Sequence, residues 1–374
     1  MDLGFLRALY ENTPDQPADG YVSLYLDNTM PSTGKVAVEA ALRWQSARER
    51  LAADGADDAT LAAVQQAVGR DTHAGGGQAV FASAGSVRLS SALPEPPPRE
   101  VASYTPLPHV VPWLAQRPAQ LPHVRIAATR TGGQVVAVSG EAIATADVPG
   151  ESWPVHKPHA GGWSMARFQR SAEETWDENA KRIAEAAAAE ADRVHARFVV
   201  VGGDVRERTM VVDRLPAALR DIAVTVDREV EPDAAPFAEA SHAEAARQAD
   251  RQSRARLDEF RSRISVADPR QRQAAEGVQA TLIALCDGLA SDVLLAVGTL
   301  AAATAWVGPG MTDAATDMDQ LLERGVSRPA EDRADAALVR AAAGTDAELH
   351  FLPEDADQPA GGVGALLRAP AAAL

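Results

Sequence analysis

Short apolar runs alternate with longer amphipathic stretches along most of this chain, which predicts strands and helices in turn and an α/β fold class. GYVSLYLD, Gly20 to Asp27, is rich in Tyr, Val and Leu and predicts a strand. Val36–Ala53 repeats apolar residues at helical spacing, Val38, Leu42 and Leu51 among them, and Ala59–Val68 reads as a second helix. GQAVFASAG and SVRLSSAL predict two strands joined near Gly85. The prolines of PEPPPRE, Pro94 to Glu100, predict an extended connector. Val110–Leu114 then leads into AQRPAQLP, the first expected domain boundary.

The next segment opens on a hairpin, VRIAATR and QVVAVSG flanking the turn residues Thr131-Gly132-Gly133. The stretch after it, with Pro149, Pro154 and Pro158, reads as irregular. A long helix is expected from about Ser171 to Val194, with Trp176, Ile183, Ala187 and Val194 on or near one face. RFVVVGG and IAVTVD read as buried strands, and the helix between them should end or kink at Pro216. A strand, a helix and a strand imply a parallel pair. Phe237 to about Ile264 has few large apolar residues and predicts a mostly solvated helix between domains. After Pro269 come a helix to Cys286, a strand at DVLLAV, a helix over Asp332–Ala343, and then AELHFLP and GGVGALLR. The expected organisation is three α/β domains, 1–120, 121–262 and 263–374, without an internal repeat.

Composition narrows the function classes. A length of 374 residues exceeds one ordinary core. A net charge of −16 argues against non-specific nucleic-acid binding, so an RNA partner must be met by a local basic patch. The single cysteine, Cys286, cannot form an internal disulfide; it fits a reducing compartment and reads as a small buried hydrophobe. The first residues carry no apolar core of signal length. The longest apolar run, Val293 to Val307, is broken by Gly298, Thr299 and Thr304 and falls short of the ~20 residues a membrane helix needs. A cytoplasmic protein without membrane contact is expected.

The chemistry concentrates in HKPHAGGWSMARFQRS, His156 to Ser171, which contains no Asp or Glu. Adjacent glycines, Gly161 and Gly162, let the backbone approach another surface closely. Trp163 offers a large π-face, and His156, Lys157, His159, Arg167 and Arg170 surround it with positive charge. Such a tip suits RNA, with bases stacking on the ring and cations meeting phosphate; the competing reading is an ordinary loop whose tryptophan packs into the core. His156-x-x-His159 has metal-like spacing, but Pro158 intervenes and no cysteine or acid completes a site. Two literal Gly-Gly-Gln strings, Gly132 to Gln134 and Gly76 to Gln78, read as turn chemistry. Gly202 to Asp204 reads as a strand end with a helix cap at Asp204. No cofactor is expected.

GGWSMARF resembles the GGQ region of archaeal and eukaryotic class 1 peptide-chain release factors, through Gly161, Gly162, Ser164, Arg167 and Phe168. Trp163 stands where that family has its glutamine. RFVVVGG, RLPAAL and IAVTVD resemble the remainder of the middle domain, and GGVGALLR resembles the end of the C-terminal domain shared with Pelota. WPVHKPHAGGWSMARFQRSAEE is more closely similar to the bacterial relatives found in actinobacteria, the Balon-type ribosome hibernation factors. This resemblance implies a three-domain release-factor/Pelota-like architecture, each domain a mixed sheet with helices. It implies a hibernation factor that occupies the ribosomal A site of idle ribosomes, meets ribosomal RNA, reaches the peptidyl transferase centre and keeps company with elongation factor Tu.

The RNA contacts would be His156, Lys157, His159, Gly161, Gly162, Trp163, Arg167 and Arg170. The indole cannot orient a water as a carboxamide does. The Asn-Ile-Lys-Ser element of release factors is absent, and Lys35 is the one lysine before Lys157. The chain is therefore expected not to be an enzyme. The alternatives are a peptidyl-tRNA hydrolase acting in ribosome rescue through the loop backbone, and a Pelota-like rescue adaptor.

Overall fold

The computed structural model describes residues 1–10, 20–27, 36–68, 76–117, 121–129, 131–139, 142–150, 162–226, 235–300 and 302–370. Three stretches of sequence fold into two compact units, one made of Met1–Arg117 with Asp250–Leu374 and the other of Pro118–Ala249.

The first unit begins with α1 (Arg7–Tyr10), β1 (Tyr21–Asp27), α2 (Val36–Ala53), α3 (Asp58–Ala67), β2 (Gly77–Ser83), β3 (Ser86–Leu93), β4 (Val101–Thr105) and α4 (Val111–Gln116). The strands form an antiparallel sheet in the order β3-β2-β1-β4. Central β1 is buried on both faces, because its alternating residues divide between two cores. Val22, Leu24 and Leu26 pack with Trp44, Leu51, Leu61 and Val64 of the helices. Tyr21 and Tyr25 point the other way, into a core that also holds residues of the chain's C-terminal third.

The middle unit is β5 (His123–Thr129), β6 (Gly132–Ser139), β7 (Ala142–Pro149), α5 (Gly162–Val194), β8 (Phe198–Gly203), α6 (Val205–Arg214), α7 (Ala217–Arg220) and β9 (Ala223–Val226). Its five strands lie in the order β7-β6-β5-β8-β9. The β7-β6-β5 side is antiparallel and β5-β8-β9 is parallel, as the crossovers through α5 and through α6 and α7 allow. Pro216 ends α6 and caps α7, as expected from its missing N–H. The expected irregular stretch begins instead with an edge strand, β7. Its alanines alternate with Ile143, Thr145 and Asp147, so it has few large apolar residues, and an edge strand needs less burial to hold its place.

Next, α8 (Ala235–Ile264) runs from the middle unit into the first. It is not merely a solvated connector, because Leu257 and Phe260 are buried against Ala274, Leu294, Leu352 and Leu366. Gly364 makes this fit work, as a Cβ there would stand 2.6 Å from the Phe260 ring. The chain ends with β10 (Ala274–Glu276), α9 (Val278–Cys286), β11 (Ala290–Ala296), β12 (Thr304–Val307), β13 (Ala314–Ala315), α10 (Met318–Glu323), β14 (Ala330–Arg333), α11 (Ala334–Thr345), β15 (Glu348–Leu352) and β16 (Val363–Leu367). These strands make a mixed sheet, β10-β16-β11-β15, and a small sheet, β13-β12-β14.

The N- and C-terminal segments share one hydrophobic core. Leu3, Leu6, Tyr21, Tyr25, Val110 and Trp113 belong to the same cluster as Leu338, Val339 and Ala342 of α11. Polar contacts follow that seam. Leu107 N donates to Asp332 Oδ2 at 2.6 Å, and Arg7 Nε donates to the Ala343 carbonyl at 2.8 Å. Burial pushes the Asp332 carboxyl up to about 6, although two backbone N–H groups hold it down in part. Among the described residues, no helix is long and apolar enough to cross a membrane.

Candidate nucleic-acid interface

The long helix carries the candidate tip. α5 spans 33 residues and begins at Gly162, not near Ser171. Gly162 and Trp163 therefore stand on its first turn, and Arg167 and Arg170 follow within the next turns. The segment Ser164 to Arg170 has no proline and contains Met, Ala, Gln and Arg, so nothing in it stops helical backbone from extending back to the glycine. No acid sits in the first turn. The positive end of the helix dipole therefore adds to the local basic charge instead of being neutralised. His156, Lys157, His159 and Gly161 lie outside the described residues, as do the side chains of Trp163, Arg167 and Arg170.

The opposite half of α5 is anchored. Ala180, Ile183, Ala184, Ala187, Ala191 and Val194 are buried against Val124, Ile126, Val135, Val199 and Val201 of the sheet. Asn179 is the first buried residue described on this helix. From Gly162 to Asn179 is about 25 Å of helix axis at roughly 1.5 Å per residue. Between them, α6 braces the helix from the side. Arg206 Nη2 donates to Glu173 Oε1 at 2.8 Å, and its guanidinium lies 4.9 Å from the Trp176 ring centre. Arg214 grips Asp177 with two nitrogens, Nη2 to Oδ2 at 2.7 Å and Nε to Oδ1 at 2.9 Å. Exposed ion pairs of this kind add little stability one at a time, but the forked geometry fixes direction.

Several other motifs resolve into structure. Gly132 and Gly133 start β6, where Gln134 Nε2 donates to Asp147 Oδ1 at 2.9 Å across to β7. A Cβ on Gly133 would stand 2.8 Å from Ile183 Cδ1 and 2.8 Å from the Ala127 carbonyl oxygen. Gly133→Val should therefore destabilise the protein by about 1–3 kcal/mol in urea titration, the usual cost of forcing extra atoms into a packed helix–sheet contact; an unchanged midpoint would show that Ile183 can yield. Gln78, of the other Gly-Gly-Gln string, is buried and donates to the Ala67 carbonyl at 3.0 Å. Asp204 caps α6 by accepting from Arg206 N at 3.0 Å. Cys286 donates its thiol to the Ala314 carbonyl at 3.4 Å, and burial pushes its pKa up, away from the thiolate that nucleophilic or metal chemistry needs.

One acid–histidine group had no signal in the linear sequence. Asp292, Glu348 and His350 bring ligand atoms within 4.8 Å of one another. β11 and β15 run parallel with Asp292 opposite Glu348, and His350 lies two residues on, on the same face. His350 Nε2 stands 2.9 Å from Asp292 Oδ1, and Arg256 Nε lies 3.2 Å from that same oxygen. The guanidinium already supplies the positive charge this cluster calls for, which makes it an ion-pair network.

A long, laterally braced helix on a mixed five-stranded sheet, with a Gly-Trp start, makes the middle unit release-factor-like. The profile of bacterial archaeo-eukaryotic release factor family 2 matches residues 122–265. Two uncharacterized Mycobacterium tuberculosis proteins, Rv2629 of strain H37Rv and MT2704 of strain CDC 1551, are each 30% identical to this chain over 359 residues. The match covers 93% of this chain and 93% of each relative. The chain belongs to the bacterial archaeo-eukaryotic release factor family. Among solved structures, archaeal translation termination factor aRF1 is similar at 14% identity with a TM-score of 0.25, covering 97% of this chain and 96% of that one. Archaeoglobus fulgidus Pelota is similar at 12% identity with a TM-score of 0.34, covering 79% of each chain.

Proposed function

We propose that this protein is a cytoplasmic ribosome-binding factor of the hibernation type. It occupies the A site of idle ribosomes and presents Trp163 toward the peptidyl transferase centre without hydrolysing peptidyl-tRNA. The observation that carries this reading is the start of α5 at Gly162, which sets Trp163 on the first turn of a braced helix. Membership of a release-factor family supplies the context. In the resemblance to class 1 release factors this is the glutamine's position, and a bulky indole there suits occupancy and stacking better than the orienting of a water. Lys157, Arg167 and Arg170, with His156 and His159, supply the cations for phosphate. The Balon-type likeness of the tip sequence adds elongation factor Tu as the partner to test.

Co-sedimentation with vacant 70S ribosomes is the direct test. The protein should pellet with them at low salt and dissociate as salt rises, because phosphate contacts release counterions. Release of formyl-methionine from ribosomes carrying initiator tRNA should stay at the no-factor background. A protein that remains in the supernatant at low salt overturns ribosome binding. Multiple-turnover release overturns the non-catalytic reading in favour of a peptidyl-tRNA hydrolase.

A further inference from the structure

The face of the middle sheet turned away from α5 holds an arginine that no carboxylate among the described residues meets. On β5, Val124, Ile126 and Ala128 enter the core under α5. By the two-residue period of a strand, His123, Arg125 and Ala127 turn to the other face. There Phe198 and Val200 pack with Ala245 of α8. Arg125 is half-buried, opposite Val136 on one side and Val200 on the other. Its Nε donates to His123 Nε2 at 3.3 Å. His123 Nδ1 lies 2.9 Å from the Leu121 carbonyl, so this ring carries its proton on Nδ1 and accepts on Nε2. The ring stacks on Phe198, 4.7 Å between centres and 6° between planes. Burial first, then the nearby Arg125 and His242 charges, push the His123 pKa down to about 4, so the imidazole is neutral at pH 7. His242, on α8, is close enough that Arg125 lowers its pKa in addition to burial.

This is a costly arrangement. Burial disfavours the charged form of Arg125. Among the described residues no carboxylate reaches it, in a chain whose net charge is −16. Between two valines of a sheet an aliphatic side chain is the cheaper choice. Among the described residues the partner of Arg125 is the neutral His123 ring, which accepts one hydrogen bond and cancels no charge, and a guanidinium left charged in this way points to an anionic ligand.

We propose that Arg125, with His242 near it, binds a phosphate group on the sheet face opposite α5. His123 engages the Nε edge and holds the guanidinium plane as a positioning residue. The terminal nitrogens are then left to fork onto phosphate oxygens. The site is separate from the Trp163 tip and stands whether or not that tip meets a ribosome. The phosphate belongs either to free phosphate or to an RNA backbone.

Two arms test the proposal and separate these sources. In the first, wild type and Arg125→Met are melted in chloride and in inorganic phosphate at equal ionic strength. Phosphate should raise the wild-type Tm by clearly more than that of Arg125→Met, whose smaller rise reads the general effect of a kosmotropic anion. In chloride, Arg125→Met should melt above wild type by about 2–4 °C, because it removes a half-buried charge that no described carboxylate neutralises. In the second arm, a fluorescein-labelled oligouridylate is titrated against wild type and Arg125→Gln over a salt series. If the phosphate is RNA backbone, the slope of log affinity against log salt becomes shallower by about 0.7 in the variant, one contact's worth on a single strand. A phosphate response with an unchanged RNA slope assigns free phosphate. An Arg125→Met protein that melts below wild type in chloride, or fails to fold, overturns the proposal, since Arg125 is then structural. So does absence of an Arg125-dependent effect in both arms.

Discussion

Replacing Arg340 with alanine is expected to destabilise the protein by about 3–5 kcal/mol, the range for emptying a large buried site and breaking its hydrogen bonds. Arg340 is 1% exposed, among the largest fully buried side chains of the described structure. It lies on α11, a helix whose residues from Ala334 to Ala343 are all buried. Nη1 donates to the Gly308 carbonyl and Nη2 to the Asp313 carbonyl, each at 2.7 Å. The guanidinium thereby closes the turn that follows β12 onto the central helix. Alanine would take the Arg340 donor from the Gly308 carbonyl, leave the Asp313 carbonyl with only its bond from Gly308 N at 2.9 Å, and open a void in the core shared by the N- and C-terminal segments. Two considerations oppose the loss. Burial already disfavours the charge, and Nε has no hydrogen-bond partner. Arg340→Met, which keeps volume and removes the charge, should therefore cost roughly half as much as alanine. Urea unfolding of the two variants beside wild type decides it. An alanine variant within about 1 kcal/mol of wild type would mean that the turn is held by its other contacts.

Trp163→Ala is expected to lower ribosome affinity roughly 5- to 150-fold, corresponding to about 1–3 kcal/mol for one lost base–aromatic stack, with a nearly unchanged melting temperature. Among the described residues of α5 the buried ridge begins at Asn179 and continues through Ala180 and Ile183, which anchors the C-terminal half to the sheet. A core tryptophan would behave in the opposite way, costing about 3–5 kcal/mol of stability when truncated. Lys157→Ala and Arg167→Ala should weaken ribosome binding as well. Melting and co-sedimentation must be read on the same preparations. A large fall in Tm for Trp163→Ala removes the residue from the RNA-facing role, and unchanged pelleting removes the tip from the interface.

Much of the fold was legible where one local rule dominated. Asp204 before an amphipathic run, Pro216 within one, and alternating apolar residues at Val124 to Ala128 each specify their local geometry, and the structure follows them. Marginal elements were less visible. β4 and β7 are edge strands of modest hydrophobicity, so their pairing comes from the neighbouring strand more than from their own residues. The early start of α5 was hidden by Gly162, a poor helix former that still accepts a terminal helical position at modest cost. The tip's residue types were conspicuous in sequence because basic charge without acid is rare in so acidic a chain. Asp292, Glu348 and His350 were not, since a parallel strand pair brings together positions far apart in the chain.

Residue order alone determined that Gly20 to Asp27 is a strand, since it is rich in Tyr, Val and Leu; that β1 is buried on both faces emerged from the structure. It also determined that a long helix follows the basic Gly-Gly-Trp segment, through periodicity, whereas its start at Gly162 and its bracing by α6 belong to the tertiary structure. Tertiary structure decided what covers each face of β1. Val22 and Leu24 meet local helices, whereas Tyr21 and Tyr25 share a core with α11, encoded more than two hundred residues later. Periodicity states that an apolar face must be covered but carries no information on which distant segment covers it, because burial is non-directional. Arg125 shows the same limit: its strand position was readable, but that no carboxylate among the described residues meets it is a property of three dimensions.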